Sequence, residues 1–181
     1  MSKETNRNII GKMPRPTGEY PSVVLTNPKF DHNVGQTVRA ASCFGCKQVW
    51  YTGNRVKIEP GKRLPREERM KGYGSVDLIQ HNYPFDSFEN GVVPVAIELV
   101  ENCELLTTFE HPEKAVYVFG PEDGSIPQVI RRHCHKFVKI PVKHCTNLSM
   151  AVGIVLYDRM QKLNPVGFEL AEERGWYEHQ G

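Results

Sequence analysis

Polar side chains able to do chemistry follow two short apolar runs of the sequence. After "SVVLT", the segment "NVGQTVR" places Asn33 and Arg39 six residues apart. After "AVYVFG", the segment "PEDG" places Glu122 two residues beyond Gly120. A guanidinium can bind phosphate or stabilise developing negative charge, and amide and carboxylate groups can orient a reacting group by hydrogen bonding. These residue types therefore suit a site that positions a reacting group and stabilises its charge.

A third polar group lies in "IPVKHCTNL", between Ile140 and a long apolar-faced segment. Helix capping would also explain each group taken alone. Asn33 and Asn147 are suitable N-caps, and Glu122 precedes a predicted helix whose dipole favours negative charge. If a helix begins at Asn33, Arg39 is about 600° of rotation further on, so the two side chains need not share a face. The three groups therefore have to be judged together.

The elements that would position these groups alternate along the chain. Five strands are predicted, at residues 22–26, 48–52, 93–99, 115–120 and 136–141. Helices are predicted at residues 33–45, 103–109, 125–134 (with Ser125 as N-cap) and 147–163, while residues 69–82 carry too weak a pattern for assignment. This alternation predicts an α/β domain with a mostly parallel sheet and helices on both faces. Ligands of such folds bind at the carboxyl ends of the strands, where all three polar groups fall.

The last helix has the strongest pattern. Its apolar stripe recurs at i, i+3, i+4, i+7, i+8 and i+12 and consists of Leu148, Ala151, Val152, Val155, Leu156 and Met160. Ile154 and Tyr157 lie outside this stripe, so the helix has more apolar surface than one packing face needs. Such an excess predicts a homodimer in which the last helix and the N-terminal part of the first helix contact a second copy of the chain.

The 181 residues favour one folded domain, at residues 21–164, preceded by a polar, flexible extension at 1–20 and followed by an acidic tail at 165–181. No apolar run approaches the roughly 20 residues that span a bilayer, and the start lacks a signal-peptide pattern, so no membrane partner is expected. Five cysteines without disulfide-like spacing predict a reducing, cytoplasmic location.

Charge is unevenly distributed although the net charge is only +2. Residues 55–71 hold seven basic and three acidic side chains, and residues 131–143 hold five basic and no acidic ones. This distribution suits a polyanionic partner, and an ordinary solvated surface explains it equally well.

Cys43 and Cys46 form a C-x-x-C pair that could be a redox pair or half of a zinc site, with His133 and His135 as further ligand candidates. No second C-x-x-C exists in the sequence. The two cysteines lie at helical spacing in an apolar stretch, where buried free thiols are common. We therefore expect no metal site.

Taken together, the three groups resemble the TrmH-like (SpoU) branch of the SPOUT superfamily of RNA methyltransferases. The matching residues are Asn33, Arg39, Gly120, Glu122, Ile140, Pro141 and Asn147. The sequence departs from the family pattern at Cys145 and Thr146, where the family has serine and leucine, and Gly124 stands one position early. The resemblance covers residues 22–163.

The resemblance implies a C-terminal deep trefoil knot whose crevice binds S-adenosylmethionine. It implies methyl transfer to a ribose 2′-hydroxyl of RNA, with S-adenosylhomocysteine as product, no metal, and a homodimer. Catalysis is expected from Arg39, Asn33 and Glu122. Cofactor binding is expected from Ile97, Gly120, Ile140, Cys145, Thr146, Asn147 and Leu148. RNA binding is expected from Arg39, Arg63, Arg66, Arg131 and Arg132.

The sequence allows more than one RNA substrate and also a non-catalytic function. A chain without an added RNA-binding domain favours tRNA over rRNA, by resemblance only. The alternative from another functional class is a non-catalytic RNA-binding protein with the same fold. Arg39 and Glu122 argue against that alternative, because both stand at positions that the resemblance assigns to catalysis.

Overall fold

The computed structural model describes residues 9–10, 19–59 and 76–163. The strands are β1 (Ile9–Ile10), β2 (Ser22–Leu25), β3 (Gln48–Tyr51), β4 (Asp77–Gln80), β5 (Val93–Ile97), β6 (Glu104–Leu105), β7 (Ala115–Phe119) and β8 (Lys136–Lys139). The helices are α1 (Asp31–Cys43), α2 (Gln128–Arg131) and α3 (Leu148–Leu163), and a 3-10 helix covers Pro84–Ser87.

These strands form one sheet in the order β1-β4-β3-β2-β7-β5-β8-β6. Every pairing is parallel, so the carboxyl ends of all strands lie at the same edge. The central strand β7 is buried along its whole length, as its continuous apolar sequence predicts for a strand covered on both faces. The predicted α/β fold with a parallel sheet is confirmed. The deep knot stays a prediction from the resemblance.

Helices cover both faces of the sheet. Alternate strand residues such as Val23 and Leu25 point toward one apolar cluster, which includes Val38 of α1 and Val152 of α3. Residues of opposite parity such as Val24 belong to a second cluster with α2 and the segments around it. Two buried layers of this kind follow from the two-residue periodicity of strands.

Three local predictions were wrong or incomplete. Residues 103–109 form the short strand β6 and a turn, not a helix, because β6 pairs with β8. β4 lies in residues 69–82, whose sequence pattern is too weak for assignment, and its Leu78 and Ile79 are buried. β1 lies within the predicted flexible extension and pairs with β4. Most of the extension and the whole predicted acidic tail at residues 165–181 fall outside the described residues.

Helix starts also differ from the predictions. α1 begins at Asp31 with Phe30 in the N-cap position, so Asn33 is the third helical residue and is only 1% exposed. α2 begins at Gln128 after Pro127, so Ser125 is not its cap. The Asn147 prediction is confirmed, because its Oδ1 accepts hydrogen bonds from the backbone N–H groups of Ser149 and Met150.

A buried polar cluster fixes the C-terminal half of α3. Asp158 accepts a hydrogen bond from Nε2 of His111, and Nδ1 of His111 contacts the hydroxyl of Tyr117 on β7. Arg159 is only 9% exposed and donates to the backbone carbonyls of Pro112 and Glu113. This charged side chain takes a core position of the helix because those carbonyls satisfy its guanidinium.

The ring nitrogens of His111 have defined roles in this cluster. Burial raises the pKa of Tyr117 to about 12, so its hydroxyl keeps its proton and can donate to Nδ1. Burial also lowers the pKa of His111, against the opposing effect of Asp158. A neutral imidazole that carries its proton on Nε2 therefore satisfies both neighbours.

All five cysteines are free. Within residues 9–10, 19–59 and 76–163, no helix has the length and apolar character to cross a bilayer.

Candidate functional site

A cavity of about 580 Å³ lies at the carboxyl ends of β5, β7 and β8. The three strand ends contribute Ile97, Gly120 and Ile140, and the turn before α3 forms another wall. All seven residues predicted to bind the cofactor line it: Ile97, Gly120, Ile140, Cys145, Thr146, Asn147 and Leu148. The volume is within the usual range for small-molecule sites. Parallel strand order thus brings segments distant in sequence to one cavity.

Asn33 connects the three sequence groups. Its Nδ2 donates a hydrogen bond of 2.6 Å to Oε1 of Glu122, and its Oδ1 accepts one of 2.9 Å from Nδ2 of Asn147. All three residues line the cavity. As the third residue of α1, Asn33 is not the cap of the helix, and its amide contacts the two other segments instead.

Both carboxylate oxygens of Glu122 are engaged. Oε2 accepts a hydrogen bond of 2.7 Å from the backbone N–H of Lys29, opposite the bond from Asn33 to Oε1. Partial burial by itself would raise the pKa of Glu122, but these hydrogen bonds outweigh it and lower the pKa below its ordinary value. Glu122 is therefore held as a carboxylate that positions its neighbours.

The start of α3 is tied to α1 by a further polar contact. The hydroxyl of Ser149 lies 2.6 Å from Oδ1 of Asn147 and 2.9 Å from Oε1 of Gln36. Asn147 thus caps α3 with its oxygen and binds α1 with its nitrogen. One side chain fixes the helix start and the cavity wall together.

Gly120 is required first by the turn that follows β7. A Cβ atom at this position would lie 3.2 Å from the backbone nitrogen of Ile126 and 3.3 Å from the carbonyl oxygen of Gly124. The turn folds back over the strand end, so little room is left for a side chain. The same lack of a side chain keeps the cavity floor open.

The rim beside Glu122 carries an ion-pair cluster. Arg55 makes two hydrogen bonds, of 2.9 and 2.7 Å, to the two carboxylate oxygens of Asp123, and Lys29 lies 3.4 Å from the same carboxylate. The hydrogen bonds from Arg55 lower the pKa of Asp123. The pairs are solvent-exposed and so hold the loops together only weakly.

Sequence reasoning missed several cavity residues. Phe30 and His32 stack on each other with ring centroids 5.3 Å apart, and Leu99 and Val142 add exposed apolar surface. Glu98 also lines the cavity. The sequence pattern predicts a strand over residues 93–99 that includes Glu98, whereas β5 ends at Ile97. Glu98 is therefore the first residue beyond the carboxyl end of β5. The sequence signal that could have found it is the change from the apolar run at Val93–Ile97 to a carboxylate.

The predicted catalytic and RNA-binding arginines do not line the cavity. Arg39 lies on the exposed face of α1, about 9 Å along the helix axis from Asn33. Arg131 and Arg132 lie at the end of α2, a few residues before β8 begins. They are therefore near the amino-end edge of the sheet, whereas the cavity lies at the carboxyl-end edge. Arg63 and Arg66 fall in residues 60–75, outside the described part of the chain.

The alternative metal and redox readings gain no support. Cys46 is buried and its Sγ contacts the carbonyl oxygen of Pro21, while Cys43 is exposed. Burial raises the pKa of the Cys46 thiol to about 12, which disfavours the reactive thiolate. No group of three or more His, Cys, Asp or Glu side chains among the described residues is arranged to hold a metal ion.

Solved structures share this fold. AviRb, a SpoU methyltransferase from Streptomyces viridochromogenes in complex with AdoMet, superposes with a TM-score of 0.67 at 18% identity, covering 78% of this chain and 60% of its own. The A. aeolicus TrmH/SpoU tRNA modifying enzyme gives 0.64 at 24% identity, covering 86% and 77%. A protein studied for the 2-OH methylation of C/U34 on tRNA gives 0.65 at 21% identity, covering 81% and 94%.

This chain spans only about 60% of the length of AviRb. No curated protein matches the sequence significantly. The family model of the SpoU rRNA Methylase family matches residues 21–157, which is most of the chain and includes every segment that lines the cavity. On that match, the chain belongs to the SpoU rRNA methylase family.

Proposed function

We propose that this protein is an S-adenosylmethionine-dependent RNA methyltransferase that acts on a ribose 2′-hydroxyl. The observation that carries the proposal is the hydrogen-bonded connection of Asn33, Glu122 and Asn147 beside a cavity at the strand ends. Family membership supplies the reaction class.

The cavity suits S-adenosylmethionine in size, in apolar surface and in charge. Ile97, Leu99, Ile140, Val142 and Leu148 offer apolar surface for an adenine ring. The polar turn from Cys145 to Asn147 offers backbone groups that can hydrogen-bond the base edge. The carboxylates of Glu98 and Glu122 favour a cationic ligand.

In this proposal the cofactor supplies a methyl group activated by a sulfonium, and the chain supplies position and charge. Asn33 is hydrogen-bonded to both Glu122 and Asn147. These two bonds fix the cavity wall before α3 in position relative to the start of α1. Alignment of a hydroxyl with the methyl group accounts for much of the rate gain in such a transfer.

Arg39 is assigned to the RNA side of the reaction. A guanidinium is not deprotonated in proteins, so it is a poor general base. It can bind a phosphate next to the target ribose and stabilise charge that develops on the oxygen. Its exposed position on α1, outside the cavity, fits contact with a macromolecular substrate.

We favour tRNA as the substrate and a homodimer as the active form. The A. aeolicus enzyme is described as tRNA modifying, and a further structural neighbour concerns tRNA 2-OH methylation. Met150 and Tyr157 expose large apolar side chains on α3, and Phe44 packs edge-on against Tyr157. This apolar stripe suits a second copy of the chain.

Titration calorimetry with S-adenosylmethionine and a radiolabelled methyl-transfer assay on total tRNA and rRNA test the proposal. We expect cofactor binding, methylation of tRNA, and resistance of the modified linkage to alkaline cleavage, which requires a free 2′-hydroxyl. A comparison of RNA methylation in cells with and without the gene would identify the nucleotide. RNA binding without cofactor binding would instead support a non-catalytic RNA-binding protein.

A further inference from the structure

Glu98 occupies a central position in the cavity. It follows β5, which lies between β7 and β8, so its neighbours are the strand ends at Gly120 and Ile140. Its backbone N–H donates to the carbonyl oxygen of Val138, 3.0 Å away, which fixes the residue relative to β8. The side chain therefore starts from a rigid part of the sheet.

The carboxylate of Glu98 is only partly used by the protein. Oε1 accepts a hydrogen bond of 2.6 Å from the backbone N–H of Ile126. Oε2 has a long contact of 3.4 Å with the adjacent backbone N–H of Leu99. Because a carboxylate has about four acceptor positions, Glu98 keeps acceptor capacity for a ligand.

The charge of the cavity is unbalanced. Its lining includes two carboxylates, Glu98 and Glu122, and no lysine or arginine from the described part of the chain. Glu122 is engaged through both oxygens by Asn33 and the backbone of Lys29. The cationic ends of Lys29 and Arg55 lie against Asp123 at the rim. Glu98 is thus the carboxylate best placed to act on a bound ligand.

We infer that Glu98 makes the cavity select the cationic methyl donor over its product. This inference rests on the proposed function. S-adenosylmethionine carries one more positive charge than S-adenosylhomocysteine, because transfer of the methyl group converts a sulfonium into a neutral thioether. A carboxylate in a partly desolvated cavity favours the cation by charge attraction. The same attraction is lost on methyl transfer, so the product leaves more readily than the donor.

The test compares the dissociation constants of the donor and the product, measured by calorimetry on the native protein and on Glu98→Gln. The amide keeps an oxygen for Ile126 N–H and removes only the charge, so thermal melting should change little. We expect the donor to bind at least about tenfold more weakly and the product less than about threefold more weakly, the scale of one partly screened charge interaction.

Glu101→Gln is the matched control, because it removes the same charge from an exposed residue three positions on, outside the cavity lining. We expect it to change neither constant. Equal weakening of donor and product by Glu98→Gln, or no weakening, would overturn the inference while leaving the proposed function standing. Failure of the native protein to bind the donor would overturn both.

Discussion

Asn33 donates a 2.6 Å hydrogen bond to Glu122 although the two residues are 89 positions apart in the sequence. The same amide accepts a hydrogen bond from Asn147, 114 positions away. Because Asn33 is almost fully buried, neither bond can be replaced easily by water. One amide therefore connects the end of β7, the start of α1 and the start of α3.

Replacement of Asn33 should destabilise the protein. Asn33→Ala leaves partly buried polar groups of Glu122 and Asn147 without their partner, for an expected loss of about 1–3 kcal/mol in the free energy of unfolding. Asn33→Asp should cost more near neutral pH, since it places two carboxylates side by side. Its deficit should shrink as the pH is lowered and the introduced carboxyl gains a proton. Urea denaturation at several pH values measures the free energy of unfolding of both variants. If the loss caused by Asn33→Asp does not depend on pH, the proposed contact with Glu122 is contradicted.

Arg39 should matter for methyl transfer and little for cofactor binding. Arg39→Ala is expected to lower the methylation rate at least about 100-fold, the scale of one lost charge-stabilising donor. Arg39→Lys should rescue little, because a point charge does not match the fork of a guanidinium. Lys47→Ala removes an exposed cation directly before β3, at the amino-end edge of the sheet and away from the cavity lining, and serves as the control. Near-native methylation by both Arg39 variants would remove Arg39 from the catalytic assignment.

His111 should make stability depend on pH in the mildly acidic range. Burial lowers its pKa in the folded state below the ordinary value of 6.5, so the unfolded chain binds a proton more readily. Its contribution is therefore fully present above pH 6.5 and is lost as the pH falls below that value. His111→Gln should be less stable than the native protein and should show a smaller decline between pH 7 and pH 5.

The measurement for His111 is the free energy of unfolding from urea titrations at several pH values. His135→Gln, which changes an exposed histidine, provides the control and should keep the native pH dependence. If the unfolding free energy of His111→Gln depends on pH as steeply as that of the native protein, a group other than His111 titrates in this range.

The two basic segments should contribute to RNA binding and not to cofactor binding. Charge reversal at Arg63 and Arg66 should weaken RNA binding and reduce its dependence on salt, because fewer counterions are released from phosphates. The same reversal at Arg131 and Arg132 tests whether RNA extends to the amino-end edge of the sheet. Filter binding at several salt concentrations, with calorimetry for the cofactor, distinguishes these outcomes. Unchanged RNA affinity in both variants would place the RNA elsewhere.

The exposed face of α3 should mediate self-association. Met150 and Tyr157 are 58% and 52% exposed, which is unusual for large apolar residues of a core helix. A native protein that is dimeric at micromolar concentration by light scattering should become monomeric with Tyr157→Glu. Tyr83→Glu alters an equally exposed aromatic residue (61%) away from α3 and should stay dimeric. A monomeric native protein would contradict the dimer.

Local sequence patterns determined much of this protein. Five of the strands and the long helix α3 could be predicted, because apolar periodicity reflects which face of each element is buried. Since parallel strands share an edge at their carboxyl ends, the same pattern placed Gly120, Ile140 and Asn147 at one site. The two-residue strand β6 escaped prediction because so short a strand carries little periodicity of its own. β4 escaped prediction because its two buried residues, Leu78 and Ile79, are adjacent and lie between polar residues, which gives neither an alternating pattern nor a long apolar run.

Only the tertiary structure decided how the polar residues are used. As a local pattern, Asn33 looked like a helix cap, and its actual partners come from segments 89 and 114 residues away. Glu98 became a cavity residue because β5 ends one residue before it, between two strands whose ends hold the other walls. Arg39 was placed outside the cavity by the rotation of α1. Side-chain partners of this kind depend on how distant segments pack, which the spacing of residues along one segment does not encode.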